Sequence, residues 1–195
     1  MTRTALSALA LVAAAPVLAQ QAAHEHGVAR LDVAVDAPRV ELRLEGAGDG
    51  FVGFEHAAAT DEEKAAVRRA QAAFIEADRL FAFVGAACKV DGNRVTLPEN
   101  LRGDAAGHGA HGGGDHDRHD HDHDHDHDHD HDHDHGHADW LAELVFVCSG
   151  TPVAMDAAGL FRSFPGLREV RTQVVGEAGQ TGGTLRAGAA RIDLP

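Results

Sequence analysis

The chain has 195 residues, with 31 acidic against 17 basic side chains and a formal charge of −14 when its 16 histidines are neutral. An acidic balance without a basic patch speaks against nucleic acid and anionic membrane partners. Aromatic residues make up 5% of the chain, which leaves little surface for stacking on bases or sugars.

Residues 1–19 read as a secretory signal. Arg3 supplies the positive start, Ala5 to Ala15 the apolar run, and Val17-Leu18-Ala19 a small-residue cleavage site before Gln20. The run is shorter than the roughly 20 residues a spanning helix needs, and no cysteine follows the cleavage site to carry a lipid. No membrane insertion is expected, and the exported chain is expected to be a single domain over residues 20–195, with a modest core, in an oxidising compartment such as a bacterial periplasm.

That domain opens on His24-Glu25-His26-Gly27. Histidines at i and i+2 point the same way on an extended segment and make half a metal site. Their candidate partners are in Phe54-Glu55-His56, so His24, His26 and His56 with one carboxylate would fill a tetrahedral shell. An exposed histidine pair near a terminus is also compatible with no role at all.

From Val28 apolar and charged residues alternate: Leu31, Val33 and Val35, a turn at Asp36–Arg39, then Val40, Leu42 and Leu44. The pattern predicts a hairpin with one wet face. Thr60-Asp-Glu-Glu63 is a capping box opening a helix, with Val67, Ala70, Phe74, Ala77 and Phe81 along one stripe. Cys88–Leu97 predicts a strand that Asp91-Gly92 turns or bulges, and Trp140–Cys148 is the most apolar strand of the chain. A short helix over Met155–Phe161, a turn at Pro165-Gly166, a strand around Val170–Val174 and edge strands within Thr184–Leu194 complete the order. The middle six elements read βαββαβ. The expected fold is α+β: an antiparallel sheet with two helices on one face, a ferredoxin-like core and extra strands at either end.

Between the two central strands lies a tract that no folding argument accounts for. His108, His111, His116, His119, His121, His123, His125, His127, His129, His131, His133, His135 and His137 alternate mostly with aspartate, and eleven aspartates against Arg118 alone give the stretch from His108 to Asp139 a charge of −10. It holds no Leu, Ile, Val or Phe, so residues 104–139 are expected to form a disordered insert. Neutral imidazole is the commonest zinc ligand, with carboxylate as an additional ligand or as acceptor of the other ring N–H. At three or four ligands per ion the thirteen histidines have room for about three or four ions. The plainer readings are a solvated acidic linker, which has no use for thirteen histidines, a pH-responsive segment, and a tag, against which the internal position speaks. Copper and nickel also suit these ligands, so zinc is a choice of biology as well as of chemistry.

Cys88 and Cys148 are the only cysteines. If the flanking strands pair antiparallel, the two face each other at the base of a hairpin whose tip is the tract. In an oxidising compartment a disulfide then leads over a thiolate metal site or free thiols. It would hold the roots of the loop together.

HEHG followed by V-x-x-L-D-V, GFEHA before a Thr-capped helix, paired cysteines and a His-Asp insert ahead of an apolar strand together resemble the ZrgA-like family of exported, zinc-regulated proteins. The resemblance covers the chain after residue 19. It implies zinc binding without catalysis in the periplasm of a Gram-negative bacterium, beside a zinc importer whose receptor is a candidate partner, and it draws attention to His24, His26 and His56. Two other roles fit the tract: the solute receptor of a zinc transporter, for which the chain is short, and storage or detoxification of zinc, nickel or copper. No G-x-S-x-G or H-E-x-x-H motif supports an enzyme.

Overall fold

A computed structural model describes residues 25–98, 101 and 139–195. The signal segment, His24 and the thirteen tract histidines lie outside the described residues. Asp139, the last residue of the expected insert, is already the first of a strand.

The first hairpin forms as the alternation predicts. β1 (Val28–Asp36) and β2 (Arg39–Ala47) pair antiparallel from Ala29↔Gly46 to Asp36↔Arg39. A five-residue helix α1 (Gly48–Val52) follows, then α2 (Asp61–Ile75) behind its capping box. The stripe expected for α2 ends early: Ala77 sits in a short 3-10 turn and Phe81 beyond it, although both are buried. β3 (Ala82–Val84) leads into β4 (Cys88–Thr96) and β5 (Asp139–Cys148). β4 stays one strand because Asp91 is accommodated as a bulge between Val90 and Gly92.

Met155, expected in a helix, lies instead in β6 (Ala154–Asp156), and α3 covers Ala158–Ser163. β7 (Glu169–Gly176), β8 (Gly179–Leu185) and β9 (Arg191–Asp193) complete the chain.

The large sheet has the order β4-β5-β2-β1-β7-β8, and β3, β6 and β9 form a second, three-stranded sheet. This corrects the expectation of one antiparallel, ferredoxin-like sheet. A ferredoxin-like core would lay β7 against β2, but β1 occupies that place and pairs with β7 in parallel, Val28↔Glu169 to Val35↔Gly176. The physical reason is the tight first hairpin, which lays β1 along the edge of β2 that β7 would otherwise occupy.

One face of the large sheet is dry. Leu31, Val33, Leu42, Leu44, Leu144, Phe146, Val170 and Val174 point into one core with Phe74 of α2, Leu160 of α3 and Met155 of β6. Trp140, Phe51, Phe74 and Phe164 form its aromatic centre, with ring centroids 5.0–5.9 Å apart. The other face carries charge ladders such as Arg30–Asp32 and Arg43–Glu45.

The Cys88–Cys148 disulfide is formed, across directly opposed residues of β4 and β5. Closing 60 residues, it stabilises by about 4 kcal/mol in the chain-entropy model. It lies at the end of the hairpin remote from the tract, whose flanks are tied instead by the pairs Thr96↔Leu141 and Ala47↔Asp139.

Candidate metal centre

His26 is presented at the foot of β1. The chain makes a turn there, with Val28 N–H donating to Glu25 O at 3.0 Å, and Gly27 takes φ +70°, a left-handed value that suits glycine and strains other residues. This accounts for the glycine of HEHG.

Asp49 comes from α1, a helix too short to persist on its own. Phe51, two residues on, anchors it by packing against Phe74, Trp140 and Phe164 at 5.8, 5.6 and 5.3 Å. Gly53 ends the helix at φ +89°, its N–H bonding Asp49 O at 3.0 Å, and this cap turns the chain so that Glu55 comes back toward Asp49.

The three side chains meet. His26 Nδ1 lies 3.1 Å from Asp49 Oδ2 and 3.5 Å from Glu55 Oε1, and the three donor atoms all fall within 4.8 Å of one another. A tetrahedral ion with bonds near 2.1 Å separates its ligand atoms by about 3.4 Å, so two of the three edges already have the spacing that zinc requires. The imidazole side is the more open, with His26 70% exposed, and the carboxylates are half-buried, with Asp49 22% and Glu55 36% exposed.

A second observation points to a cation. Asp49 Oδ1 is buried and has no hydrogen-bond partner among the described residues. Leaving a buried acceptor unsatisfied costs about 1–3 kcal/mol, more for a charged group, and a bound ion is one of the usual ways to meet it. Two carboxylates would also neutralise a divalent ion within the site.

His56 goes elsewhere. Its Nε2 lies 2.9 Å from Glu63 Oε1, and its ring packs at 5.0 Å from Phe54. The other oxygen of Glu63 accepts from the backbone N–H groups of Ala59 at 2.8 Å and Thr60 at 2.9 Å, while Thr60 Oγ1 accepts from Glu63 N–H. These bonds favour the ionised carboxylate, and Glu63 is held down to about 2 from 4.5, first by the Thr60 backbone bond and then by His56. His26 is thus in the three-residue group and His56 is not.

Asp49 escaped sequence reasoning. The only signal was an acidic residue between two glycines just ahead of the GFEH motif, and nothing in that spacing predicts that Phe51 pins a helix there.

An imidazole and two carboxylates with their donor atoms within 4.8 Å of one another, on a mixed α+β scaffold, define a class: a protein with a candidate site for a divalent cation. The chain matches the family described as ZrgA family zinc uptake protein over residues 23–194, and it belongs to that family. Its membership assigns it a role in zinc uptake. No curated protein matches the chain. A disulfide suits an exported protein, and among the described residues no helix is long and apolar enough to cross a membrane.

Proposed function

We propose that the protein is a non-catalytic periplasmic zinc carrier that captures or buffers the ion and passes it toward an importer. Zinc is its cargo. The histidines of the tract supply many weak, fast sites, and His26, Asp49 and Glu55 form the ordered acceptor, with His24 as a further imidazole on the same segment.

The observation that carries this reading is where the ordered group sits. The chain returns from the tract at Asp139, which pairs with Ala47, two residues ahead of Asp49. His137 is two residues before Asp139. Asp139, where the described chain resumes after the tract, therefore lies at the same end of the large sheet as Asp49. This placement supports a reading in which the tract captures the ion and the ordered group accepts it by ligand exchange at one end of the large sheet.

The test is calorimetric zinc titration of the protein and of a variant lacking residues 104–137, near pH 7.4 and near pH 5.5. Two classes of site are expected for the intact protein and one tight class for the deletion. Binding should weaken at the lower pH, because protons compete for imidazole below about 6.5. A deletion variant that binds no zinc would remove the ordered acceptor from this reading.

A further inference from the structure

The metal group draws His26 from the first turn of the described chain and its carboxylates from α1 and the loop behind it. His26 is largely exposed, so its own packing does not hold it opposite Asp49. A third segment that offers no ligand, the turn Gly166–Arg168 between α3 and β7, touches both halves of the group.

The turn is wedged between the two halves of the site. On one side Gly166 lies so close to α1 that an added Cβ would stand 2.7 Å from Asp49 O and 2.9 Å from Gly50 O. A Cβ on Gly50 would in turn meet Leu167 Cδ2 at 2.8 Å. On the other side a Cβ on Gly27 would meet both Gly166 O and Arg168 Nε at 2.7 Å. Glycine backbones therefore touch in series from α1 through the turn to the foot of β1.

Hydrogen bonds fix the same contact. Gly27 O accepts from the N–H groups of Arg168 at 2.8 Å and Glu169 at 3.1 Å, and the Arg168 guanidinium donates to His26 O through Nη2. Arg171 donates to the Glu25 carboxylate and, at 3.2 Å, to Glu169, which Arg186 also holds at 2.6 Å. The turn is itself anchored, since Leu167 is buried in the core and its N–H donates to Phe164 O at 3.0 Å.

We propose that Gly166 and Arg168 are positioning residues of the metal centre: they set the distance between the His26 imidazole and the Asp49 carboxylate, and with it the zinc affinity of the site. The proposal rests on the reading of His26, Asp49 and Glu55 as zinc ligands. Electrostatics alone predicts the opposite for Arg168, because removing a cation beside a cation site should tighten binding. A loss of affinity on removing this arginine therefore reports positioning.

The test is zinc titration of 15N-labelled protein with its tract intact, following the amides of Gly27, Asp49 and Gly50, which report this site apart from the tract. Asp49→Asn is the control for the ligand reading, and Arg168→Met, Arg168→Lys and Gly166→Ala test the positioning.

Outer-shell partners of metal ligands are worth about 10- to 100-fold in affinity. Arg168→Met and Gly166→Ala are accordingly expected to raise the half-saturating zinc concentration at these amides at least about tenfold, with Arg168→Lys recovering part of the loss. If Asp49→Asn weakens binding while Arg168→Met leaves it unchanged or tightens it, the positioning role is overturned and the ligand reading stands. If Asp49→Asn changes nothing, the ligand reading falls and the positioning role with it. Should Gly166→Ala fail to fold, the two Arg168 variants decide the matter.

Discussion

Glu55 and His56 are neighbours in the chain and part company in the fold. Glu55 turns toward His26 and Asp49, into a group of donors spaced for an ion. His56 turns the other way and joins Glu63 in the capping box of α2. Each is one half of an imidazole–carboxylate pair, yet the pairs differ in what surrounds them. The His26 group brings two carboxylates together and leaves one of Asp49's oxygens without a hydrogen-bond partner among the described residues. The His56 pair shares a single carboxylate whose oxygens are already engaged by backbone N–H groups and the ring. On the reading proposed above, proximity of histidine to acid is no guide to metal binding, and what matters is whether the acid has coordination left to give.

The largest expected effect breaks the comparison at the ligands. Asp49→Ala or His26→Ala should weaken zinc binding at the ordered site by about a hundredfold or more, beyond the loss of an outer-shell partner. His56→Ala should shift it by less than about twofold, or roughly 0.4 kcal/mol. Amide shifts of Gly27 and Gly50 during a zinc titration read both. Equal losses would erase the distinction between the two histidines.

Exchanging the carboxylates sharpens it. Glu55→Gln should cost zinc affinity about tenfold and leave thermal unfolding of the zinc-free protein in place. Glu63→Gln should lower that unfolding temperature and leave zinc affinity unchanged.

A smaller effect is expected at the cap. Thr60→Ala removes the hydroxyl that accepts from Glu63 N–H and should cost about 1 kcal/mol, seen as a lower urea midpoint with an unchanged slope. Zinc binding should not follow it.

The gentlest probe is acid. Glu63 is held below its unfolded value, so its stabilisation is fully present above about pH 4.5 and is lost as pH falls toward about 2. Imidazole ligands give up zinc well above that range. Between roughly pH 5.5 and 4.5 the protein should therefore be depleted of zinc while its α2 cap remains intact. Circular dichroism alongside a zinc indicator checks this, and simultaneous loss of helix and zinc would couple the two features.

Much of the scaffold could be read from residues alone, for reasons that differ by element. The first hairpin follows from alternation over Leu31–Val35 and Val40–Leu44 about a short turn. The start of α2 follows from Thr60 and Glu63, which bond across one helical turn. The disulfide follows from two strands flanking a single excursion. Elsewhere the residues misled. Met155 has an apolar side chain that suits strand and helix alike, and only pairing with Phe83 and Ile192 decides between them. α1, with two glycines in five residues, has no local reason to be helical and exists because Phe51 is gripped by three other rings.

The amino-acid sequence by itself determined the kind of side chains on offer: histidine and aspartate in quantity, an α+β pattern, two cysteines placed to pair, and a His-Glu-His segment ahead of the first strand. Composition and short periodicity carry such properties because they depend on residues within a turn or a strand of each other. The tertiary structure alone decided that Glu55 rather than His56 serves His26, that Asp49 completes the group, and that Arg168, 142 residues away, braces it. Those choices depend on where β1 meets β7 and where α1 meets the turn before it. Contacts closed across most of the chain leave no mark in local spacing.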